Sequence, residues 1–140
     1  MLADDDMDDC ALFTDALDEL AMPVTLATVH DGAQLMQYLV NEAMVLPNVL
    51  FLDLNMPRKN GIECLAEIKV NERLKQMPVM IFSTSFDREV MQSLYRNGAQ
   101  HYVRKPDEFE KLKKVMYKVL NLLLEAPPAK TTAENFVIEP

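Results

Sequence analysis

Val49-Leu50-Phe51-Leu52-Asp53-Leu54-Asn55-Met56-Pro57 is the stretch on which the reading of the fold turns. Four apolar residues follow one another without a polar break and stop at an aspartate. A run of this kind fits a strand covered on both faces, as in a parallel sheet, rather than a half-solvated strand with alternating polarity. The loop Leu54–Asn60, with Pro57, comes next, and Gly61 opens a segment through Val70 whose apolar residues Ile62, Leu65, Ala66 and Ile68 recur at helical spacing. The unit is a buried strand spanning Asn48–Leu52, a carboxylate at its carboxyl end, a loop and a helix.

The same unit recurs in both directions. After it, Pro78 precedes Val79-Met80-Ile81-Phe82, which ends at Ser83-Thr84-Ser85; Asp87–Arg96 reads as a helix stopped by Asn97-Gly98. His101–Arg104 is a short strand before Lys105-Pro106, and Asp107–Glu125 is a long helix. Before it, Leu2–Ala3 stops at Asp4, and Asp8–Leu20 carries Ala11, Leu12, Ala16, Leu17 and Leu20 at helical spacing. Val24–Val29 alternates and reads as a strand, and Asp31 caps a helix bearing Leu35, Met36, Leu39, Val40 and Ala43 that Pro47 ends. Five alternations of strand and helix predict an α/β fold, a parallel sheet with helices on both faces.

Composition narrows the function. The 140 residues are 49% hydrophobic and 26% charged with a formal net charge of -8, the balance of one globular domain with an acidic surface. That charge argues against nucleic acid as a direct partner, which needs a basic face. No apolar run is long enough to cross a membrane and no signal segment opens the chain, so the expected location is cytoplasmic, with no membrane contact. After Glu125 the sequence turns polar, with Pro127-Pro128, and carries one apolar patch, Phe136-Val137-Ile138. It reads first as a disordered end and second as a segment that docks on this or another copy.

Ligands of an open α/β sheet bind beyond the carboxyl ends of its strands. Asp4-Asp5, Asp53, Ser83 and Lys105 stand at four such ends. Carboxylates crowded together repel one another and call for a cation, and an oxygen-only set without His or Cys favours a hard ion such as Mg²⁺. Lys105 adds a second positive charge. Such a site suits a phosphoryl group beside a carboxylate, and Asp53, at its centre, is the nucleophile that would form an acyl phosphate.

Leu2-Ala3-Asp4-Asp5-Asp6, Leu50 to Pro57 with Gly61, Ser83-Thr84, and Tyr102-Val103-Arg104-Lys105-Pro106 together resemble the motifs of response-regulator receiver domains, in order, from Leu2 to about Leu124. The stretch after Gly61 and residues 71–77 are also similar to the stand-alone regulators paired with bacterial phytochromes. The resemblance implies a flavodoxin-like, doubly wound (βα)5 fold with sheet order 2-1-3-4-5. It assigns Asp53 as phosphoacceptor and Mg²⁺ as cofactor, held by Asp5, by Asp4 through water, by Asp53 and by the backbone carbonyl of Asn55. Ser83 would turn its hydroxyl to the phosphoryl group, Lys105 would pair with a phosphoryl oxygen, and Tyr102 would change its packing when Ser83 moves. The implied protein is a signalling switch rather than an enzyme. Its donor is a sensor histidine kinase or phosphotransfer protein, and its output is a downstream protein target reached through the fourth helix, fifth strand and fifth helix. Pairing into a homodimer stays open. Residues 1–125 form the receiver domain and 126–140 a Pro-containing tail, with no DNA-binding or other output domain.

Asp4-x-Asp6-x-Asp8 looks like the start of a calcium loop, but Asp9 stands where glycine is needed. Asp8 and Asp9 read as carboxylates favoured at a helix N-terminus. An aspartyl phosphatase would want a second acid two residues after Asp53, where this chain has Asn55. His30 and His101 read as half-exposed residues near strand ends, and Met91 and Tyr95 as residues of the fourth helix open to a partner. Cys10 and Cys64 fall on helices on opposite faces of the implied sheet, so no disulfide is expected. One departure from the family is the start: only Met1, Leu2 and Ala3 precede Asp4. The first strand is therefore expected to be a stub or to lack residues upstream.

Overall fold

The computed structural model describes residues 1–124 and 131–140. The elements are β1 (Leu2–Ala3), α1 (Met7–Leu20), β2 (Thr28–Val29), α2 (Gly32–Val40), β3 (Leu50–Leu52), α3 (Gly61–Val70), β4 (Val79–Ser83), α4 (Arg88–Arg96), β5 (His101–Arg104), α5 (Phe109–Leu124) and β6 (Val137–Ile138). All strands are parallel, in the order β2-β1-β3-β4-β5-β6. The expected doubly wound arrangement is present, with six strands among the described residues where five are expected.

The continuous apolar runs do what their pattern implies. Side chains of β3 and β4 alternate between two cores, and both are sealed from water. Leu50, Leu52, Val79 and Ile81 pack with α2, α3 and α4, while Phe51, Met80 and Phe82 pack with α1 and α5. On the second face Phe13 meets Phe51 and Phe82 edge-on, with ring centroids 5.0 and 5.5 Å apart. Cys10 and Cys64 belong to opposite cores and are free thiols, as the topology implies. Four helices start on a side-chain cap: Asp6 for α1, Asp31 for α2, Asn60 for α3 and Asp87 for α4. Gly61 follows Asp53 and Leu54 so closely that a Cβ there would lie 2.3 Å from the Asp53 carbonyl oxygen. Among the described residues no helix is long and apolar enough to cross a membrane.

Several boundaries differ from the sequence reading. The strand expected over Val24–Val29 is confined to Thr28–Val29, because its neighbour β1 offers only Leu2 and Ala3 as partners. Leu2 N still donates to Ala27 O at 2.9 Å, and the chain before that turns away, leaving Val24 44% exposed. β3 starts at Leu50 rather than Asn48, where pairing with Val79 begins. α5 starts at Phe109 rather than Asp107. Glu125 and Pro127-Pro128 lie outside the described residues.

The largest difference lies at the C-terminus. The sequence presents residues 131–140 first as a disordered end, but Val137 and Ile138 add a strand to β5, opposite Tyr102 and Val103. The cause is the apolar patch noted in the sequence: Phe136 and Ile138 become buried, one in each core. His101, expected to be half-exposed, is buried beneath this segment, with Nδ1 3.0 and 3.2 Å from the carbonyl oxygens of Asn135 and Phe136. Because carbonyls only accept, the Nδ1 proton is fixed in place. Met91 is buried, and Tyr95 packs against Phe136, so neither is an open partner contact.

Candidate functional site

Parallel register brings the polar strand ends together. Asp53 N donates to Ala3 O at 2.9 Å, Asp4 N to Val29 O at 3.0 Å, and Lys105 N to Ser83 O at 2.9 Å. Each backbone bond locks one strand end to its neighbour, so Asp4, Asp53, Ser83 and Lys105 share one edge of the sheet. Asp4 and Ser83 are fully buried and Asp53 is 5% exposed, while Asp5 and Asn55 face solvent. The site is thus a buried carboxylate pair with an open acidic mouth.

Lys105 holds the centre. Its Nζ lies 2.7 Å from Asp4 Oδ2, 2.9 Å from Asp9 Oδ2 and 3.6 Å from Asp53 Oδ2, and 5.4 Å from the Phe82 ring centre. Burial pulls the lysine toward losing its proton. Hydrogen bonds to Asp4 and Asp9, with the charges of Asp53 and Asp4, outweigh burial and push its pKa well above the usual lysine value. Burial raises the Asp53 carboxyl to about 7; Lys105 pulls it down, but Asp4 pushes it further up. One ammonium shared among several carboxylates leaves Asp53 short of positive charge.

That shortfall is the test of a cation. Asp4, Asp5 and Asp53 each offer an oxygen, and these oxygens lie within 4.8 Å of one another. The donors are all oxygens, one of them is open to solvent, and local negative charge exceeds positive. A divalent hard ion fits this set, with room to keep waters.

Beside the carboxylates, Ser83 Oγ accepts from Ser85 N at 3.2 Å, and the Tyr102 hydroxyl donates to Ser85 O at 2.5 Å. Tyr102 is fully buried, and burial pushes its phenol above the usual range. Ser83 and Tyr102 therefore share the loop that leads into α4.

The structure brings Asp4, Asp5, Asp53 and Lys105 together, with Ser83 bonded to Lys105 through the backbone and Tyr102 bonded to Ser85; Asn55 is exposed, two residues after Asp53. It also adds Asp9, which the sequence presented only as a helix-start carboxylate. The first turn of α1 opens three residues beyond Asp4, so Asp9 turns back over the strand ends and reaches Lys105. Two acidic residues around a helix start gave no hint of which one would do so.

Comparison with known proteins agrees with this geometry. Residues 1–117 match the family model described as the response regulator receiver domain. The response regulator Rcp1 of Synechocystis is 31% identical over 129 residues, 89% of this chain and 88% of that protein. A probable methanogenesis regulatory protein, FilR2 of Methanothrix harundinacea, is 30% identical over 85% of this chain and 79% of its own length. The crystal structure of the Mn²⁺-bound form of Rcp1 superposes with a TM-score of 0.81 at 30% identity, covering 94% of this chain and 96% of that one. That of the phosphorylated cyanobacterial phytochrome response regulator RcpA gives 0.79 at 31% identity, covering 89% and 92%. A parallel sheet with acidic and lysine strand ends, matched over 1–117 by the family model, shows that the chain belongs to the response regulator receiver domain family.

Proposed function

We propose that Asp53 accepts a phosphoryl group from a sensor histidine kinase or phosphotransfer protein, and that the chain works as a cytoplasmic switch. The observation that carries this reading is Asp53 itself: buried at a strand end, against Asp4 and Lys105, with too little positive charge around it. An Asp53 carboxylate oxygen forms the new O–P bond while the N–P bond of the donor's phosphohistidine breaks. The electron pair of that bond stays on the imidazole nitrogen, which takes a proton. Lys105 lies close enough to exchange its contact with Asp4 or Asp9 for a phosphoryl oxygen. Ser83 Oγ can keep its bond from Ser85 N and still donate its own proton to the phosphoryl group.

Asp5, Asp4 through a water, Asp53 and the Asn55 carbonyl would hold Mg²⁺. The ion supplies positive charge against the phosphoryl oxygens during transfer. Two relatives support this chemistry by what their structures contain, a phosphorylated RcpA and a Mn²⁺-bound Rcp1. Residues 1–125 are the receiver unit and 126–140 a tail. The output is a protein contact on α4, β5 and α5 rather than DNA binding, and Tyr102 relays the change from Ser83 to that face.

The test is labelling. Acetyl phosphate with Mg²⁺ should add one phosphoryl group per chain, located on Asp53 by mass spectrometry and absent in Asp53→Asn. Phosphotransfer profiling against the histidine kinases of the source organism, phytochrome-type kinases included, should then single out a donor. Sustained phosphate release from a phosphate ester would overturn the switch reading in favour of an aspartyl phosphatase. Asn55 in place of a second acid predicts that no such release occurs.

A further inference from the structure

β6 takes no part in phosphoryl chemistry, yet it lies on the face through which the signal would leave. One short segment touches all three elements of that face. From β5, Tyr102 N donates to Phe136 O at 2.9 Å. From α4, Tyr95 packs edge-on against Phe136, with centroids 5.3 Å apart. From α5, Lys118 Nζ donates to Glu139 O at 2.9 Å. Gln100, just before β5, adds a bond from Nε2 to Thr131 Oγ1 at 2.9 Å. Val137 sides with the core that holds Tyr102, and Ile138 with the core under α1 and α5. The segment therefore closes the open edge of β5 on both faces.

Tyr102 links this seat to Asp53. One end of its side chain is tied to Ser85 beside Ser83, and the ring lies 6.5 Å from that of Phe136. Phe136 is 3% exposed and Tyr102 is fully enclosed. A Tyr102 ring swung toward solvent would need the space Phe136 fills. A seated segment thus selects the inward Tyr102, the position in which its hydroxyl meets the Ser83–Ser85 loop.

We propose that the edge of β5, with Tyr95 and Tyr102, is a strand-receiving site whose resident ligand is the chain's own segment 131–140, and that its seating and the phosphoryl group on Asp53 stabilise one another through Tyr102. The coupling rests on the reading of Asp53 as phosphoacceptor; the strand seat does not. A target that docks on α4, β5 and α5 then meets an occupied site. It must either recognise the seated segment or replace it with an extended peptide carrying an aromatic residue followed by two aliphatic ones.

The test uses the full chain, with beryllofluoride and Mg²⁺ as the phosphoryl stand-in. Amide exchange at Tyr102 reads the seat through its bond to Phe136 O, while the Asp53 amide, bonded to Ala3 O, reports that the fold is intact. The expected result has two halves. Beryllofluoride slows Tyr102 exchange by at least about fivefold, and Phe136→Ala, with Asp53 still protected, weakens beryllofluoride binding by the same factor, because coupling is reciprocal. A Tyr102 amide as fast in the wild type as in Phe136→Ala overturns the seat. Protection that falls on dilution shows that the segment comes from a second copy, which overturns the resident ligand. Beryllofluoride that binds the wild type and not Asp53→Asn, yet leaves Tyr102 exchange unchanged or faster, overturns the coupling and leaves the phosphoacceptor standing. Failure of beryllofluoride to bind takes down both.

Discussion

Replacing Asp53 with asparagine should stabilise the metal-free protein while abolishing its phosphorylation. The reasoning starts from the Asp53 carboxyl, which burial raises from 3.8 to about 7. Between those values the folded state holds a proton that the unfolded chain has released, so stability falls as pH rises through the interval and stays low above it. At ~1.36 kcal/mol per pH unit the full interval corresponds to roughly 4 kcal/mol. Asparagine also gives up the contact with Lys105 at 3.6 Å, which offsets part of that gain. About half the interval, ~2 kcal/mol, is the gain expected at pH 8. For a domain of this size that is roughly 6 °C in Tm. Urea and thermal unfolding in EDTA, at about pH 4.5 and pH 8, would measure it. The gain should be small at the lower pH and full at the higher. Added Mg²⁺ should stabilise the wild type and narrow the difference. An asparagine variant less stable than the wild type at pH 8 in EDTA, or one whose gain is the same at both pH values, would refute the account of Asp53 as a charge held against its environment.

Other expectations concern the neighbours of that carboxylate. Lys105→Met leaves buried Asp4 without its ammonium and should cost about 3–5 kcal/mol in urea unfolding at pH 8, with much of the loss recovered in acid; an equal loss at both pH values would count against the ion-pair explanation. Gly61→Ala forces a methyl group to within 2.3 Å of the Asp53 carbonyl oxygen. It should lose about 1–3 kcal/mol and bind Mg²⁺ more weakly by calorimetry, so a variant with wild-type stability would show the loop to be looser than described. Burial pushes the Cys64 thiol up to about 11, and it has no exposed surface. It should resist a thiol reagent at pH 8 until the chain unfolds, and rapid native labelling mapped to Cys64 would contradict its place under α3.

What was legible in the sequence was the sheet and its carboxyl edge. The runs of β3 and β4 are apolar on both faces, so their identity as central strands survives without tertiary information, and the residue that stops each run is the residue at its end. Asp53 and Ser83 could thus be placed from pattern alone. The elements misread were those whose extent depends on a partner. Val24–Val29 has the composition of a full strand, but only the two residues facing Leu2 and Ala3 pair as strand. Phe136-Val137-Ile138 is too short to form anything alone and becomes a strand only because β5 has a free edge. Asp9 was hidden for a different reason: the direction in which the first turn of a helix points depends on the loop before it.

The acidic first turn of α1 also bears on how donors arrive. Asp5 is exposed at the site, Asp6 and Asp8 are exposed at the start of α1 that follows it, and the chain as a whole carries -8. At the ionic strength of a cell such a field reaches about 8 Å, far enough to act on a molecule before contact. A small anion such as acetyl phosphate diffuses against it, so its encounter rate is held down and rises as salt is added. A protein donor with a basic rim around its phosphohistidine diffuses with it, gains in encounter rate, and loses that gain as salt is added. Two sources of the same phosphoryl group would therefore answer one change of medium with rates that move in opposite directions.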